Sequence, residues 1–147
     1  MKILLTAISL YLFAGISRGQ NLQDMLNKNY LENCKILTEN GFSQFGTDVV
    51  HDDVRFKFEK KIPGGSVQCW VIRTIGDQTS SLMVFTPNKA YCESLLTTLS
   101  QRQIEFCDGN DPRSYKGNTA GVDFIVFFQQ FENAGGPVYE LQVAVAE

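Results

Sequence analysis

The chain has 147 residues, 44 % hydrophobic and 20 % charged, with a formal net charge of −3 at pH 7. That length suits one domain able to bury roughly two-thirds of its unfolded surface. The acidic balance, with no basic stripe, excludes a nucleic-acid binder of the usual electrostatic kind.

Residues 1–19 combine Lys2, a mostly apolar run and small residues at Ser17 and Gly19, the pattern of a secretory signal peptide cleaved after Gly19. The run is shorter than the roughly 20 apolar residues a membrane span needs. Cleavage removes Lys2 and Arg18, leaving 11 basic against 16 acidic residues. The expected product is a secreted or periplasmic α+β domain over residues 20–147, with no membrane span after the signal.

Leu22, Met25, Leu26, Tyr30, Cys34 and Leu37 recur at helical spacing, and Asn40-Gly41 supplies the stop. A short strand signal at Phe42 follows. Val54 to Lys60 and Val67 to Ile75 read as a hairpin around Gly64-Gly65, and Ser81 to Thr86 as a further strand. Thr86-Pro87 opens a second helix as a cap and first-turn proline, with Cys92, Leu95, Leu96 and Leu99 on its stripe. Another strand signal begins at Ile104. Asp108 to Gly121 reads as the one long loop, rich in Gly, Asn, Asp and Pro. Val122 to Phe131 and Val138 to Ala146 form a last hairpin around Gly135-Gly136.

The recurrence of helix, short strand and Gly-Gly hairpin suggests an internal repeat, 20–87 and 88–147; coincidence between two common hairpins is the alternative. Ser81–Thr86 has no counterpart in the second half. The expected fold is two tandem helix-plus-β-meander halves forming one antiparallel sheet, with two helices packed on one face. That plan resembles the β-lactamase inhibitory proteins, secreted binders that grip a target with the open sheet face. The resemblance implies a binding function and matches no sequence motif, so it assigns no residues.

In the hairpins, Val54, Phe56 and Phe58 form one row and Tyr139, Leu141, Val143 and Val145 another, each alternating with polar neighbours. The third strand admits two parities. Placing Val67, Cys69 and Val71 toward the helices matches Cys34 and Cys92, which lie on helix stripes. Trp70 and Ile72 then share the other face with Ile125, Phe127 and Phe131, a candidate binding face; under the opposite parity these residues are core.

Four cysteines in an exported chain, Cys34, Cys69, Cys92 and Cys107, suggest two disulfides. Helix length and strand return favour Cys34–Cys69 with Cys92–Cys107, against Cys34–Cys92 with Cys69–Cys107. The single histidine, His51, stands beside Asp52 and Asp53, where a polar turn accounts for all three better than an acid–base pair does. No phosphate-cradling loop, zinc-protease helix or nucleophile elbow occurs, so no catalytic residue, metal or cofactor is assigned. The expected function is non-enzymatic binding of another macromolecule, through the open sheet face or the 108–121 loop. The alternatives are a small-ligand binder or enzyme with a pocket between helices and sheet, and self-association as a homodimer.

Overall fold

A computed structural model describes residues 22–100, 105–106 and 114–146. The expected signal peptide, Cys107 and the first part of the 108–121 loop lie outside the described residues. Two helices precede the first strands: α1 (Leu22–Met25) and α2 (Tyr30–Glu39). Then come β1 (Ser43–Val50), β2 (Asp53–Ile62), β3 (Gly65–Arg73), β4 (Ser81–Thr86), α3 (Lys89–Ser100), β5 (Glu105–Phe106), β6 (Ser114–Thr119), β7 (Val122–Asn133) and β8 (Gly136–Val145). The fold is mixed α+β. All strand pairings are antiparallel, and the sheet runs β1-β2-β3-β4-β8-β7-β6-β5.

Local chemistry explains the turns. Pro63-Gly64 joins β2 to β3 with Gly64 at φ +83, the left-handed residue that a type II turn after proline requires. His51 and Asp52 form the two-residue turn between β1 and β2, with His51 at φ +56 and exposed.

Where the periodicity predicts one helix from Leu22 to Leu37, the chain breaks. Asn27 sits at φ +60, and Asn29 caps α2 by accepting from the Leu31 N–H at 2.9 Å. The break is stitched to the segment before β4: Asn27 N–H donates to the Thr79 carbonyl, Thr79 N–H to that of Lys28, and Tyr30 N–H to that of Asp77. Long-range backbone bonds therefore override a periodic pattern. The second helix also starts later than expected. Asn88 rather than Thr86 accepts from Tyr91 N–H at 3.1 Å, while Thr86 Oγ1 accepts from Asn88 N–H.

The larger correction is β6. Residues 114–119, expected within a loop, pair with β7 from Ser114↔Phe127 to Thr119↔Val122. Ala120 and Gly121, at φ +50 and +82, make the two-residue turn with two left-handed residues that suits a tight hairpin. Four strands thus follow α2 and four follow α3 along the chain. The hairpins β2–β3 and β7–β8 stand at different depths from their respective sheet edges, so the repeated Gly-Gly hairpins are not equivalent in position.

Register fixes the faces. Phe58, Cys69, Val84, Leu141 and Phe128 form one cross-strand row, and Phe56, Val71, Leu82, Val143 and Val126 the next. These rows join Leu22, Met25, Leu37, Cys92 and Leu95 in a single core. Val67, Cys69 and Val71 face that core, as the cysteine-row parity predicts.

Within it lies one polar tie. The buried Asn33 amide donates to the Met25 carbonyl at 2.8 Å and to Thr79 Oγ1 at 2.7 Å, joining α2 to α1 and to the approach to β4. Asn33→Ala strands both acceptors away from water. It is expected to cost about 2–3 kcal/mol, read as a lower denaturation midpoint; a loss within about 0.5 kcal/mol, the range of ordinary surface changes, would deny the tie that role.

Candidate functional site

The row opposite the core contributes nothing to it. Lys57, Trp70, Met83, Gln142 and Phe127 lie side by side across five strands. Arg55, Ile72, Ser81, Ala144 and Ile125 form the neighbouring row. Trp70 is half-buried and held from both sides. Lys57 Nζ stands 4.4 Å from its ring centroid, and Phe85 packs at 4.7 Å with a 51° tilt. Lys57 comes from β2 and Phe85 from β4, so the indole stands between them and presents its rim rather than a free face. Asp48 clamps Lys57 at 2.6 Å, and the indole N–H donates to Gln68 Oε1 at 3.2 Å.

Beside Trp70 lies a groove of about 320 Å³ walled by Trp70, Phe85, Pro87, Phe131 and Val138, with Gln68 and Asn133 among its polar lining residues. It forms because β4 ends at Thr86 and turns toward α3, while β3 and β8 run on to either side. Gly65 makes the close approach of Pro87 feasible: a Cβ there would meet Pro87 Cγ at 3.0 Å.

Of the five residues expected on the binding face, the register places all on this side of the sheet, but they do not converge. Trp70 and Phe131 share the groove, and Phe131 is 38 % exposed. Phe127, 42 % exposed, lies three strands from Trp70, about 14 Å at 4.7–4.9 Å per strand. Ile125 is half-buried beside it, and Ile72 is only 3 % exposed, underlying the face rather than presenting a contact. Phe85, Pro87 and Val138 were not among the sequence candidates. The alternation of Met83 and Phe85 against Leu82 and Val84 carried a signal for Phe85.

The polar strip crossing the face is already satisfied. Glu140, 8 % exposed, accepts from Gln129 Nε2 at 2.8 Å, and Gln142 Nε2 donates to Ser81 Oγ at 3.1 Å. Covering this strip leaves few polar groups stranded, which lowers the desolvation cost of binding.

The described cysteines are elsewhere and unbonded. Cys34, Cys69 and Cys92 are free thiols, so the expected Cys34–Cys69 and Cys92–Cys107 bridges are absent, as is Cys34–Cys92. Cys69 and Cys92 lie in the core and Cys34 packs against it. The thiols instead pack as small hydrophobes.

Burial pushes Cys69 and Cys92 up to about 12 and Cys34 up to about 11, against an ordinary 9.0. They are protonated and inert at neutral pH, unlike an activated nucleophile. Because the folded chain holds these protons more tightly than the unfolded one, their contribution is whole below about pH 9 and lost as pH rises toward 12. Stability should therefore fall over that window. Native protein should resist alkylation by iodoacetamide at Cys69 and Cys92 until unfolded; rapid labelling of both at neutral pH would contradict their burial.

Among the described residues no three His, Cys, Asp or Glu side chains group as a metal site, and no helix is long and apolar enough to cross a membrane. Comparison with family models, curated proteins and solved structures finds no match to this chain. The geometry defines a class only: an α+β domain whose antiparallel sheet carries an aromatic groove on the side away from its core.

Proposed function

We propose that the chain is an exported, non-enzymatic domain that binds another protein through the aromatic side of its sheet. The groove between Trp70, Phe85 and Phe131 carries this reading. It joins large apolar side chains to a charged rim at Lys57 and Asp48 and to a central polar strip whose hydrogen bonds are made internally. Aromatic anchors ringed by polar groups are the composition of interface centres. The signal-like residues 1–19 support export.

The fold is read as two tandem halves, each a helix followed by four strands, with the helices on one face. The mirrored strand order supports this, since β4 and β8 meet antiparallel at the centre as a two-fold relation would place them.

The expected behaviour is a monomer that binds an apolar-surface dye, measured by fluorescence and sedimentation. A dimer that leaves the dye dark would favour self-association through this face instead.

A further inference from the structure

The groove has at its border a cation that makes no ion pair among the described residues. Arg55 lies opposite Asp48 on β1, whose Oδ2 is held by Lys57 at 2.6 Å and whose buried Oδ1 has no hydrogen-bond partner among the described residues. Among the described residues the buried Arg55 Nε has no hydrogen-bond partner. Its guanidinium carbon stands 6.0 Å from the Trp70 ring, next to the groove wall. Lys61 is exposed at the groove's other end, opposite the lining residue Ser66. Glu59, opposite Gln68, is the exposed carboxylate on that side and stands between Lys57 and Lys61 along the strand.

Resting on the reading that this face binds protein, we propose that its partner is an extended segment with a carboxylate two residues from a large apolar side chain. The carboxylate would seat on Arg55 and the apolar group in the groove. An arginine fork suits a carboxylate geometrically and is the usual residue for interface ion pairs. In an extended chain, residues two apart point the same way about 6.6 Å from each other, the same spacing that separates Ile72, opposite Arg55, from the groove-lining Trp70 along β3. A groove of about 320 Å³ is large enough for such a side chain. A second copy of this chain fits poorly: Glu59, the exposed carboxylate of its face, stands two residues from Lys57 and Lys61 rather than from an apolar side chain, while Asp48 is bound by Lys57 and Glu140 by Gln129. Nucleic acid fits worse, since Asp48, Glu59 and Glu140 share the face with the cations.

The test is selection from a random peptide phage library on the full chain, followed by binding of recovered clones to the wild type and to Arg55→Glu, Arg55→Gln and Trp70→Ala, with folding checked by circular dichroism. The expected clones carry Asp or Glu two positions from Leu, Phe, Met or Trp. They should bind Arg55→Gln at least about tenfold more weakly and Arg55→Glu more weakly still, since an interfacial charge loses its partner. Trp70→Ala should remove binding altogether. Apolar clones without an acid, binding both Arg55 variants as well as wild type, would overturn the inference and leave the groove as a protein site. Clones indifferent to Trp70→Ala, or no clones at all, would overturn both.

Discussion

Phe58→Ala is expected to lower folding stability by about 3–5 kcal/mol, a large part of the 5–15 kcal/mol typical of a domain. Phe58 is 1 % exposed and sits in the cross-strand row with Cys69, Val84 and Leu141. Truncation loses the transfer energy of a buried aromatic ring and leaves a cavity that a hydrogen-bonded sheet cannot collapse to fill. β2 is paired on both sides, with β1 and β3, so its backbone has little freedom to move inward. Urea titration should show the midpoint falling at constant m-value. A loss under about 1 kcal/mol, the scale of a change outside the core, would mean that the β2 row faces solvent and that the core assignment is inverted.

Trp70→Ala should separate binding from folding. The indole is the largest side chain of the groove, lodged between Lys57 and Phe85, so its loss removes one groove wall and strands Lys57 without its ring. A hot-spot tryptophan carries roughly 2–4 kcal/mol of affinity, about 30-fold to 1000-fold in Kd. The stability cost is smaller, about 1–2 kcal/mol for a half-buried ring with a cation–π contact. Capture from native extract by the wild-type chain, with the variant folded by circular dichroism yet unable to capture, is the expected result. A folded variant that captures the same protein equally well would move the site elsewhere, and an unfolded one would place Trp70 among the residues that hold the fold.

What could be read from the residues in order was whatever repeats with a fixed local period. Alternation in Val54-Arg55-Phe56-Lys57-Phe58 and in Tyr139 to Val145 marked strands and their apolar rows, because successive side chains leave a strand on opposite sides. The span of β4 was legible to the residue, and the bounds of β3 and β8 within two. Where the local signal was weak or contradicted, prediction failed. Tyr115-Lys116-Gly117-Asn118 has little strand propensity, and β6 exists because β7 offers it a partner. The helix expected through Asn27 was broken by backbone bonds to residues some fifty positions away.

The amino-acid order by itself determined the apolar rows of β2 and β8, the polar turn at His51-Asp52 and the compositional case against nucleic-acid binding, and left the parity of β3 open. Only the tertiary structure decided that Trp70 and Phe131 share a groove while Ile72 does not reach the surface, that Arg55 makes no ion pair with the Asp48 opposite it, and that the described cysteines stay unpaired. The physical reason is common to all three. Each depends on distances between elements remote in the chain, set by register, strand length and layer spacing, and local periodicity carries direction but no such distance.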